Sequence, residues 1–428
     1  MALTQFLCRG PYLLKPLTAA SLGRILKPSM CSWNNYLSKV SVHGGKFFST
    51  KIVLGIETSC DDTGAAVVDE TGSILGEALH SQTDVHLETG GIIPSVAQKL
   101  HQENIARVVQ HAVSASGVSM DDISAIATTV MPGLALSLGI GLKYSLELVK
   151  KHQKPFIPIH HMEAHALTAR LTDLVAFPFL VLLLSGGHCI LAVAQGVSDF
   201  LLLGQTKDIA PGDMLDKVAR RLSLHKHPEC SGLSGGRAIE ILAQRGNILQ
   251  YKFPIPMQRY HDCNFSFAGL KTEITRTISR EEEAEGLQEG QLLSCLSDLA
   301  AAVLHTTTAH IAQRTHRAIL FCREKGLIPP GREILVVSGG VASNQYIRRT
   351  LQRVADATNF TLVCPPPKLC TDNGVMIAWN GIEKLSAGSG ILYNVEDFRY
   401  EPKAPLGTDI SEQVKEAFIK VPALNLAI

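Results

Sequence analysis

Residues 52–68 read IVLGIETSCDDTGAAVV, and residues 177–194 read FPFLVLLLSGGHCILAVA. In each stretch an apolar run meets a short polar or glycine-rich turn and returns as a second apolar run, which predicts a β-hairpin. Strands and helices alternate behind both hairpins. We therefore predict a duplicated α/β fold with two lobes, and a ligand-binding cleft between them.

Hydrophobic periodicity places the other elements. Buried strands are expected at 123–130 and 333–337, and helices at 95–114, 134–150, 291–324, 375–385 and from about Asn344. The stretch 264–272 reads as a loop leading into a helix. The acidic stretch 280–290 (REEEAEGLQEG) is expected to be a solvated surface segment.

Composition limits the class of protein. The chain has 428 residues, long enough for two or three domains, with 46% hydrophobic and 18% charged residues. No apolar run is long enough for a membrane helix, so we expect no membrane insertion. A formal net charge of +1 argues against a general polyanion binder, so any nucleic-acid contact has to come from local patches.

The ten cysteines are scattered and form no C-x-x-C pair. This pattern is typical of reduced, mostly buried thiols in an intracellular protein. It argues against a zinc ribbon or a disulfide framework.

The N-terminus differs from the rest of the chain. No Asp or Glu occurs before Glu57, while Arg and Lys residues are spaced among Leu, Ser and Thr. This composition predicts a mitochondrial transit peptide over residues 1–50, and a disordered basic tail is the alternative.

Two S-G-G turns, Ser185–Gly187 and Ser338–Gly340, each follow an apolar strand. Glycines let a ligand approach the backbone closely and expose N–H groups, and a helix after the second turn would favour phosphate. One such turn is a weak signal, because glycine turns after strands are common. Two turns in matching halves, with the polar turn 58–63, raise the case for phosphate binding. Neither is a P-loop.

Histidines and aspartates form the second chemical signal. His161 and His165 would lie one helical turn apart and could chelate one metal ion, or they could be structural. Glu163 would point elsewhere, and the spacing is not H-E-x-x-H. Asp372 precedes a helix and could be an N-cap or a third metal ligand. Asp216 could bind the hydroxyl groups of a ribose, or it could be an ordinary exposed acid on a helix, and the sequence pattern fits both equally well.

Six short motifs in order turn these separate signals into a resemblance. Together they resemble the tRNA N6-adenosine threonylcarbamoyltransferase family, once described as O-sialoglycoprotein endopeptidases, over about residues 51–386. The motifs are GIETSCDDT (55–63), HHMEAH (160–165), LSGGH (184–188), FSFAGLKT (265–272), SGGVASN (338–344) and TDNGVMIA (371–378).

The resemblance implies a two-lobed fold of the actin/Hsp70/sugar-kinase type. It implies a first lobe of residues 51–155, completed by 373–428, and a second lobe of residues 156–372 with the nucleotide and metal motifs. It implies one divalent metal ion, with Fe, Zn or Mg as candidates, on His161, His165 and Asp372. The residues that it implies for nucleotide contact are Leu184, Ser185, Gly186, Gly187, His188, Asp216, Gly236 and Asn344.

The sequence departs from the family pattern at two places. The stretch before Gly236 is longer than in many relatives. Ile209 stands where many relatives carry a second acid after Asp208, so this chain cannot use an acid at that position.

The reaction implied is transfer of the threonylcarbamoyl group from threonylcarbamoyl-AMP, made by a separate synthase, to N6 of adenosine 37. The acceptors would be mitochondrial tRNAs that read ANN codons, in the matrix, and the enzyme would be a homodimer. Asp61 and Glu57 are candidates for the general base. An ATP-dependent small-molecule kinase of the same fold and a non-catalytic actin-like nucleotide-binding scaffold are the alternatives. A protease is disfavoured, because no triad or zincin spacing is present.

Overall fold

A computed structural model describes residues 50–424. The transit peptide predicted for residues 1–50 lies almost entirely outside the described residues. The strands are β1 (Ile52–Glu57), β2 (Asp62–Asp69), β3 (Ile74–Ser81), β4 (Ala125–Met131), β5 (Phe156–His160), β6 (Phe179–Leu184), β7 (Cys189–Ala194), β8 (Phe200–Gln205), β9 (Ile334–Ser338), β10 (Thr361–Val363) and β11 (Thr408–Asp409).

Helices connect and cover these strands. They are α1 (Thr83–Glu88), α2 (Pro94–Ser116), α3 (Ala135–His152), α4 (His161–Leu167), α5 (Ala169–Thr172), α6 (Pro211–Arg221), α7 (Gly235–Ala243), α8 (Ala268–Glu285), α9 (Leu296–Glu324), α10 (Gln345–Thr358), α11 (Pro367–Cys370), α12 (Gly374–Ala387) and α13 (Ser411–Glu416). Within residues 50–424, none of them combines the length and apolarity needed to cross a bilayer.

The two sheets repeat one topology. The first has the order β3-β2-β1-β4-β5, and the second has the order β10-β9-β6-β7-β8-β11. In each, an antiparallel three-stranded meander (β1-β2-β3 or β6-β7-β8) is extended by two parallel strands (β4-β5 or β9-β10). The duplicated α/β fold predicted from the two hairpins is therefore confirmed.

Both sheets are covered on both faces, which explains their almost wholly apolar central strands. In β1, Leu54 and Ile56 face a core shared with α2 and α3, while Val53 faces α12. In β6, the side chains alternate between a large core with α6 to α10 and a smaller one with α4.

Glycines let α12 lie unusually close to the first sheet. A methyl group on Gly374 would be 2.5 Å from Cα of Ala65, and one on Gly55 would be 2.5 Å from the carbonyl oxygen of Gly374. Such distances leave no room for any side chain, so backbone packs on backbone here. This contact fixes the start of α12 against β1 and β2.

The limits of the two lobes stay a prediction, but the strands depart from the predicted limits at two points. β5 pairs with β4, so residues 156–160 extend the first sheet. α12 packs on the first sheet as expected for the segment after residue 373, whereas β11 pairs with β8 of the second sheet. The chain between them, residues 391–406, is called the strap below.

The acidic stretch 280–290 is mostly exposed, as predicted, although its first half belongs to α8 and one of its acids is buried. Glu282 is buried and accepts two hydrogen bonds of 2.6 Å from the guanidinium of Arg221. The eight cysteines among the described residues are free thiols.

Candidate metal centre

The predicted histidine pair lies on a short helix between the two sheets. β5 ends at His160, whose Nδ1 accepts a hydrogen bond of 3.2 Å from the backbone N–H of Met162 and so caps α4. The first turn of α4 therefore begins with its backbone partly satisfied. His161 and His165 are both buried, and their Nε2 atoms are 3.2 Å apart.

Asp372 reaches this pair from a distant part of the chain. Its Oδ1 lies 3.1 Å from Nε2 of His165 and 3.4 Å from Nε2 of His161. The alternative role of Asp372 as an N-cap is wrong, since Asn373 caps α12 by accepting a hydrogen bond of 2.9 Å from the N–H of Met376. Because the neighbouring residue takes the capping role, the carboxylate of Asp372 is available to the histidines.

The three side chains have the chemistry of a metal site. One ligand atom from each of His161, His165 and Asp372 lies within 4.8 Å of the others. Two imidazole nitrogens and a carboxylate oxygen are a common donor set for a divalent transition metal. Two Nε2 atoms that face each other compete for a single proton, which is an arrangement that a shared cation would relieve. The residues present therefore fit a bound metal ion.

Glu57 supports the far side of His161. It is fully buried, and its carboxylate lies 3.3 Å from Nδ1 of His161. It also accepts hydrogen bonds from the backbone N–H of Ser59 and the hydroxyl of Thr129. A carboxylate at the second ring nitrogen fixes the tautomer and orientation of a ligating histidine. The geometry favours this role for Glu57 over the general-base role considered from the sequence.

The charges of the centre are strongly coupled. Burial opposes protonation of His161, but the carboxylates of Asp372 and Glu57 outweigh it and raise the pKa of His161 to about 10. Burial would raise the pKa of Asp372, but His161 and His165 hold that pKa well below its usual range. The centre therefore carries closely opposed charges around the position of the proposed ion.

Asp61 lies near the same centre in a different environment. Its side chain is half-buried, and burial together with the negative charge of Asp372 raises its pKa. A carboxylate with a raised pKa and partial access to solvent can exchange protons more readily than the enclosed Glu57.

The two glycine turns meet at one sheet edge, because β6 and β9 are parallel neighbours. Gly339 has a φ of 98°, and a methyl group there would lie 2.8 Å from the carbonyl carbon of Leu184. The first turn is closed by hydrogen bonds between Ser185 and His188, of 2.9 Å from N–H to carbonyl and 3.0 Å from N–H to hydroxyl. No atom lies within 4 Å of a methyl group placed on Gly186 or Gly187.

His188 connects this turn to the metal centre. Burial and the positive charge of His161 lower the pKa of His188 to about 4, so its ring is neutral at physiological pH. On the other turn, Gly340 lies against Thr371, the neighbour of Asp372. The two glycine turns and the three candidate ligands therefore surround one region.

Of the other predicted nucleotide contacts, Gly236 and Asn344 lie at helix starts and Asp216 lies in the middle of α6. Asp216 on α6 accepts a hydrogen bond of 3.2 Å from the N–H of Gly236 at the start of α7. Asn344 caps α10 by accepting bonds of 3.0 and 3.1 Å from the next turn, which leaves its NH₂ group for a ligand. The side chain of Leu184 is fully buried, so only its backbone can contact a ligand.

Sequence reasoning missed Thr129 and Gly212, and it assigned Ser59 to a phosphate-binding turn and not to the histidines. The hydroxyl of Thr129 donates to Glu57, and the hydroxyl of Ser59 contacts Nδ1 of His161. The backbone of Gly212 lies against that of Gly186, because a methyl group on Gly212 would be 2.9 Å from Cα of Gly186. The signal for Thr129 is a pair of threonines, Thr128 and Thr129, within the buried strand β4. The signal for Gly212 is its place just after Pro211 at a helix start.

Comparisons with known proteins agree on one family. The matching family model is described as TsaD, tRNA N6-adenosine threonylcarbamoyltransferase, and covers residues 73–379. The chain is 64% identical to a Rattus norvegicus protein and 63% identical to a Homo sapiens protein, over 95% of this chain and 98% of each relative. Both are named mitochondrial tRNA N6-adenosine threonylcarbamoyltransferase. A Drosophila melanogaster protein named as a probable one is 43% identical, over 86% of this chain and 92% of its own.

Proposed function

Because this chain belongs to the tRNA N6-adenosine threonylcarbamoyltransferase family, we propose that it transfers threonylcarbamoyl from threonylcarbamoyl-AMP to adenosine 37 of mitochondrial tRNAs. It is a mitochondrial transferase with the two-lobed actin-like α/β fold. The proposal adds the donor, made by a separate synthase, and the restriction to tRNAs that read ANN codons. It also adds a homodimeric assembly in the matrix.

The reaction joins a weak nucleophile to an activated acyl group. The exocyclic N6 of adenosine forms a bond to the carbamoyl carbon, and the C–O bond of the mixed anhydride breaks. AMP leaves with that electron pair, and the proton of N6 passes to a base. Since an aromatic amine is a poor nucleophile, the site has to act mainly on the donor and on its leaving group.

The metal ligands of the proposed site are His161, His165 and Asp372, oriented through Glu57. When bound, a divalent metal supplies a Lewis acid that polarises the donor and neutralises negative charge on the leaving phosphate. Two imidazoles and one carboxylate favour Fe²⁺ or Zn²⁺ over Mg²⁺, which prefers oxygen ligands. We propose one ion per subunit.

The glycine turns would bind the nucleotide part of the donor. Gly186 and Gly187 have free space above their backbone, and Ser185 and His188 close the turn. Backbone N–H groups there are positioned to meet a phosphate or developing negative charge without reorganisation. Asp216, Gly236 and Asn344 lie around the same turns and would contact the adenosine of the donor.

Asp61 is the preferred base for the N6 proton. It is half-buried beside the centre, and its raised pKa favours proton uptake. Glu57 is a positioning residue in this proposal, because its oxygens already serve His161, Ser59 and Thr129.

The observation that carries the proposal is the meeting of Asp372 with the histidine pair at 3.1 and 3.4 Å. We expect the double variant His161→Ala, His165→Ala to fold, to retain less than a tenth of the metal, and to lose transfer. Metal content is measured by elemental mass spectrometry, and transfer by mass spectrometry of tRNA nucleosides after incubation with threonylcarbamoyl-AMP.

The matched control replaces two exposed histidines, His111→Ala with His225→Ala, and is expected to keep both properties. Full transfer in the His161 and His165 double variant would refute the metal-assisted mechanism. If the double variant still binds nucleotide and the parent protein consumes ATP, the kinase is supported instead. If the double variant still binds nucleotide and the parent protein catalyses no reaction, the scaffold is supported.

A further inference from the structure

Two ion pairs hold the helix that carries the histidines. Glu163 of α4 pairs with Lys384 of α12, with Oε2 and Nζ 3.0 Å apart and side chains only 11% and 9% exposed. Arg170 of α5 pairs with Glu383 of α12 through two bonds of 2.6 and 3.2 Å. Two adjacent residues of α12, Glu383 and Lys384, thus form ion pairs with the consecutive short helices α5 and α4.

Each pair has further partners that fix it in place. Lys384 also donates to the carbonyl of Pro158 at 3.3 Å, and Ser198 donates to Glu163 at 3.3 Å. The guanidinium of Arg170 donates to the carbonyl of Val175 and lies 4.3 Å from the ring centre of Phe177. These contacts satisfy most of the hydrogen-bonding capacity of the buried charges, which makes the geometry of both pairs specific.

The pairs act at the opposite end of α12 from the candidate metal ligand. Asp372 lies two residues before the start of α12, while Glu383 and Lys384 lie in its last turns, about 16–18 Å further along at 1.5 Å per residue. On α4, Glu163 is two residues from each histidine, which places it about 200° around the helix from both. The segment just before α12 and the end of α12 therefore contact two different faces of α4.

We propose that Glu163–Lys384 and Arg170–Glu383 form a clamp that sets the rotation of α4 and thereby the position of the metal-ligating histidines. The inference rests on the proposed metal ligands. A helix with side chains has a radius of about 5–6 Å, so a rotation of 10° moves a side-chain nitrogen by about 1 Å. Metal–ligand distances tolerate only about 0.2 Å. All seven residues of α4 are buried, so apolar packing holds the helix in the core. The two ion pairs add directional contacts, which resist rotation more specifically than apolar packing does.

The test measures binding of Co²⁺ alone, by calorimetry and by its visible absorption, in the full-length protein after removal of metal. We expect Glu163→Gln with Lys384→Met to weaken Co²⁺ affinity about tenfold, the scale seen when partners of metal ligands are removed. Arg170→Met with Glu383→Gln should have an effect of similar size. The single substitution Lys384→Arg keeps the charge and should retain most of the Co²⁺ affinity of the parent protein.

The control removes a buried pair that does not touch α4 or α12. Arg221→Met with Glu282→Gln breaks a bidentate pair between α6 and α8, with side chains 15% and 9% exposed. It should lower thermal stability as the clamp variants do, yet leave Co²⁺ affinity unchanged. A loss of affinity that merely follows stability, equal in the control and in the clamp variants, would overturn the clamp.

Two further outcomes keep the clamp separate from the proposed function. If the parent protein binds Co²⁺ no better than the His161 and His165 double variant, the metal proposal itself fails. If the parent binds Co²⁺ and the folded clamp variants bind it equally well, only the clamp fails. Arg170→Lys keeps the positive charge beside Glu383 and so should fold. A lysine cannot form the two parallel bonds that Arg170 donates to Glu383, so we expect Co²⁺ affinity to fall about threefold. An unchanged affinity in this variant would also refute the clamp.

Discussion

At the candidate metal centre, the spacing of residues in the sequence predicts some ligands but not the complete set. The H-x-x-x-H pattern indicated either a chelate or two structural histidines, and nothing within the motif decided between them. Asp372, 207 residues after His165, decides the question, because only the folded chain brings its carboxylate to 3.1 Å. Its neighbour Asn373 could not be distinguished as the helix cap from sequence, since both residue types are good caps.

Glu57 shows that the role of a carboxylate depends on its surroundings in the fold. At the end of β1, just before a polar turn, it is a candidate general base by sequence, whereas its contact with Nδ1 of His161 favours a positioning role. Its partners Thr129 and His161 come from β4 and α4, which are not neighbours of β1 in sequence. Partners from separate elements leave no local signal, so an orienting role could not have been read from the motif.

Asp62 gives a pH-dependent prediction for stability. Burial and the nearby charge of Asp61 raise the pKa of Asp62 to about 7, well above the value of about 3.9 in an unfolded chain. For a carboxyl group whose pKa is raised by folding, stability is greatest at low pH. It is lost as the pH rises between the unfolded and the folded pKa. The carboxylate of Asp62 is therefore a liability at neutral pH.

We expect Asp62→Asn to stabilise the metal-free protein, and the gain should be larger at pH 8.5 than at pH 5.5. The difference is at most about 2 kcal/mol, because the interval from pH 5.5 to the folded pKa spans about 1.5 units at about 1.4 kcal/mol each. Denaturant unfolding in the presence of a chelator measures this difference. Asp121→Asn, at an exposed position, is the control and should show little change with pH. A stabilisation of the same size at both pH values would contradict the raised pKa.

Among helices and strands, those with strong periodicity were predicted well. β1 begins at Ile52, where the predicted hairpin begins. The ends of α2 and α3 lie within two residues of the predicted ends. β3 (ILGEALHS) was missed because it is an edge strand with one fully buried residue, Gly76, so its sequence has neither an apolar run nor regular alternation, and β11 is too short for any pattern. Central strands are buried on both faces and so carry the apolar run that a sequence reveals.

The contact between α12 and the first sheet yields a second prediction. Gly374→Ala would place a methyl group 2.5 Å from Cα of Ala65 and from N of Ala66, both backbone atoms that cannot rotate away. We expect a loss of about 1–3 kcal/mol of stability from overpacking. Because α12 would shift at the end that carries Asp372, metal affinity should also fall.

The control for this substitution is Gly269→Ala. Gly269 is the second residue of α8, and no atom lies within 4 Å of a methyl group there. Replacing glycine in a helix with alanine gains up to about 1 kcal/mol, so this variant should be neutral or more stable. Thermal unfolding and Co²⁺ titration of both variants compare the effects. Equal behaviour would show that α12 tolerates a shift away from β2.

In the molecule as a whole, the duplication was visible in sequence, but the connection between the halves was not. The two hairpins predicted the repeated sheets, and the second sheet repeats the five-strand order of the first and adds β11 at its edge. The strap, in contrast, has no hydrophobic periodicity. It forms hydrogen bonds from Leu392 to Phe156 and from Glu401 to Val130 of the first sheet, before β11 pairs with β8. Irregular segments of this kind are fixed by tertiary contacts that local sequence does not specify.

The strap gives a prediction about the stability of the whole molecule. Gly407 follows the strap with a φ of 65°, and a methyl group there would lie 2.6 Å from the carbonyl carbon of Phe200 in β8. Gly407→Ala therefore combines left-handed backbone strain with a clash that separates β11 from β8. Detachment would release the strap at its second-sheet end, where the side chain of Leu406 is buried. Exposed Arg399 and Lys403 then become better trypsin sites, since cleavage requires local opening.

Gly388→Ala separates the two effects, because Gly388 has a φ of 66° but no atom within 4 Å of an added methyl group. Both variants should lose about 1–2 kcal/mol from the left-handed conformation, and Gly407→Ala should lose a further 1–3 kcal/mol, roughly, from the clash. Trypsin cleavage at Arg399 and Lys403, followed by mass spectrometry, should accelerate in Gly407→Ala alone. Equal cleavage in the two variants would mean that β11 does not anchor the strap, and that the hydrogen bonds to the first sheet are sufficient to hold it.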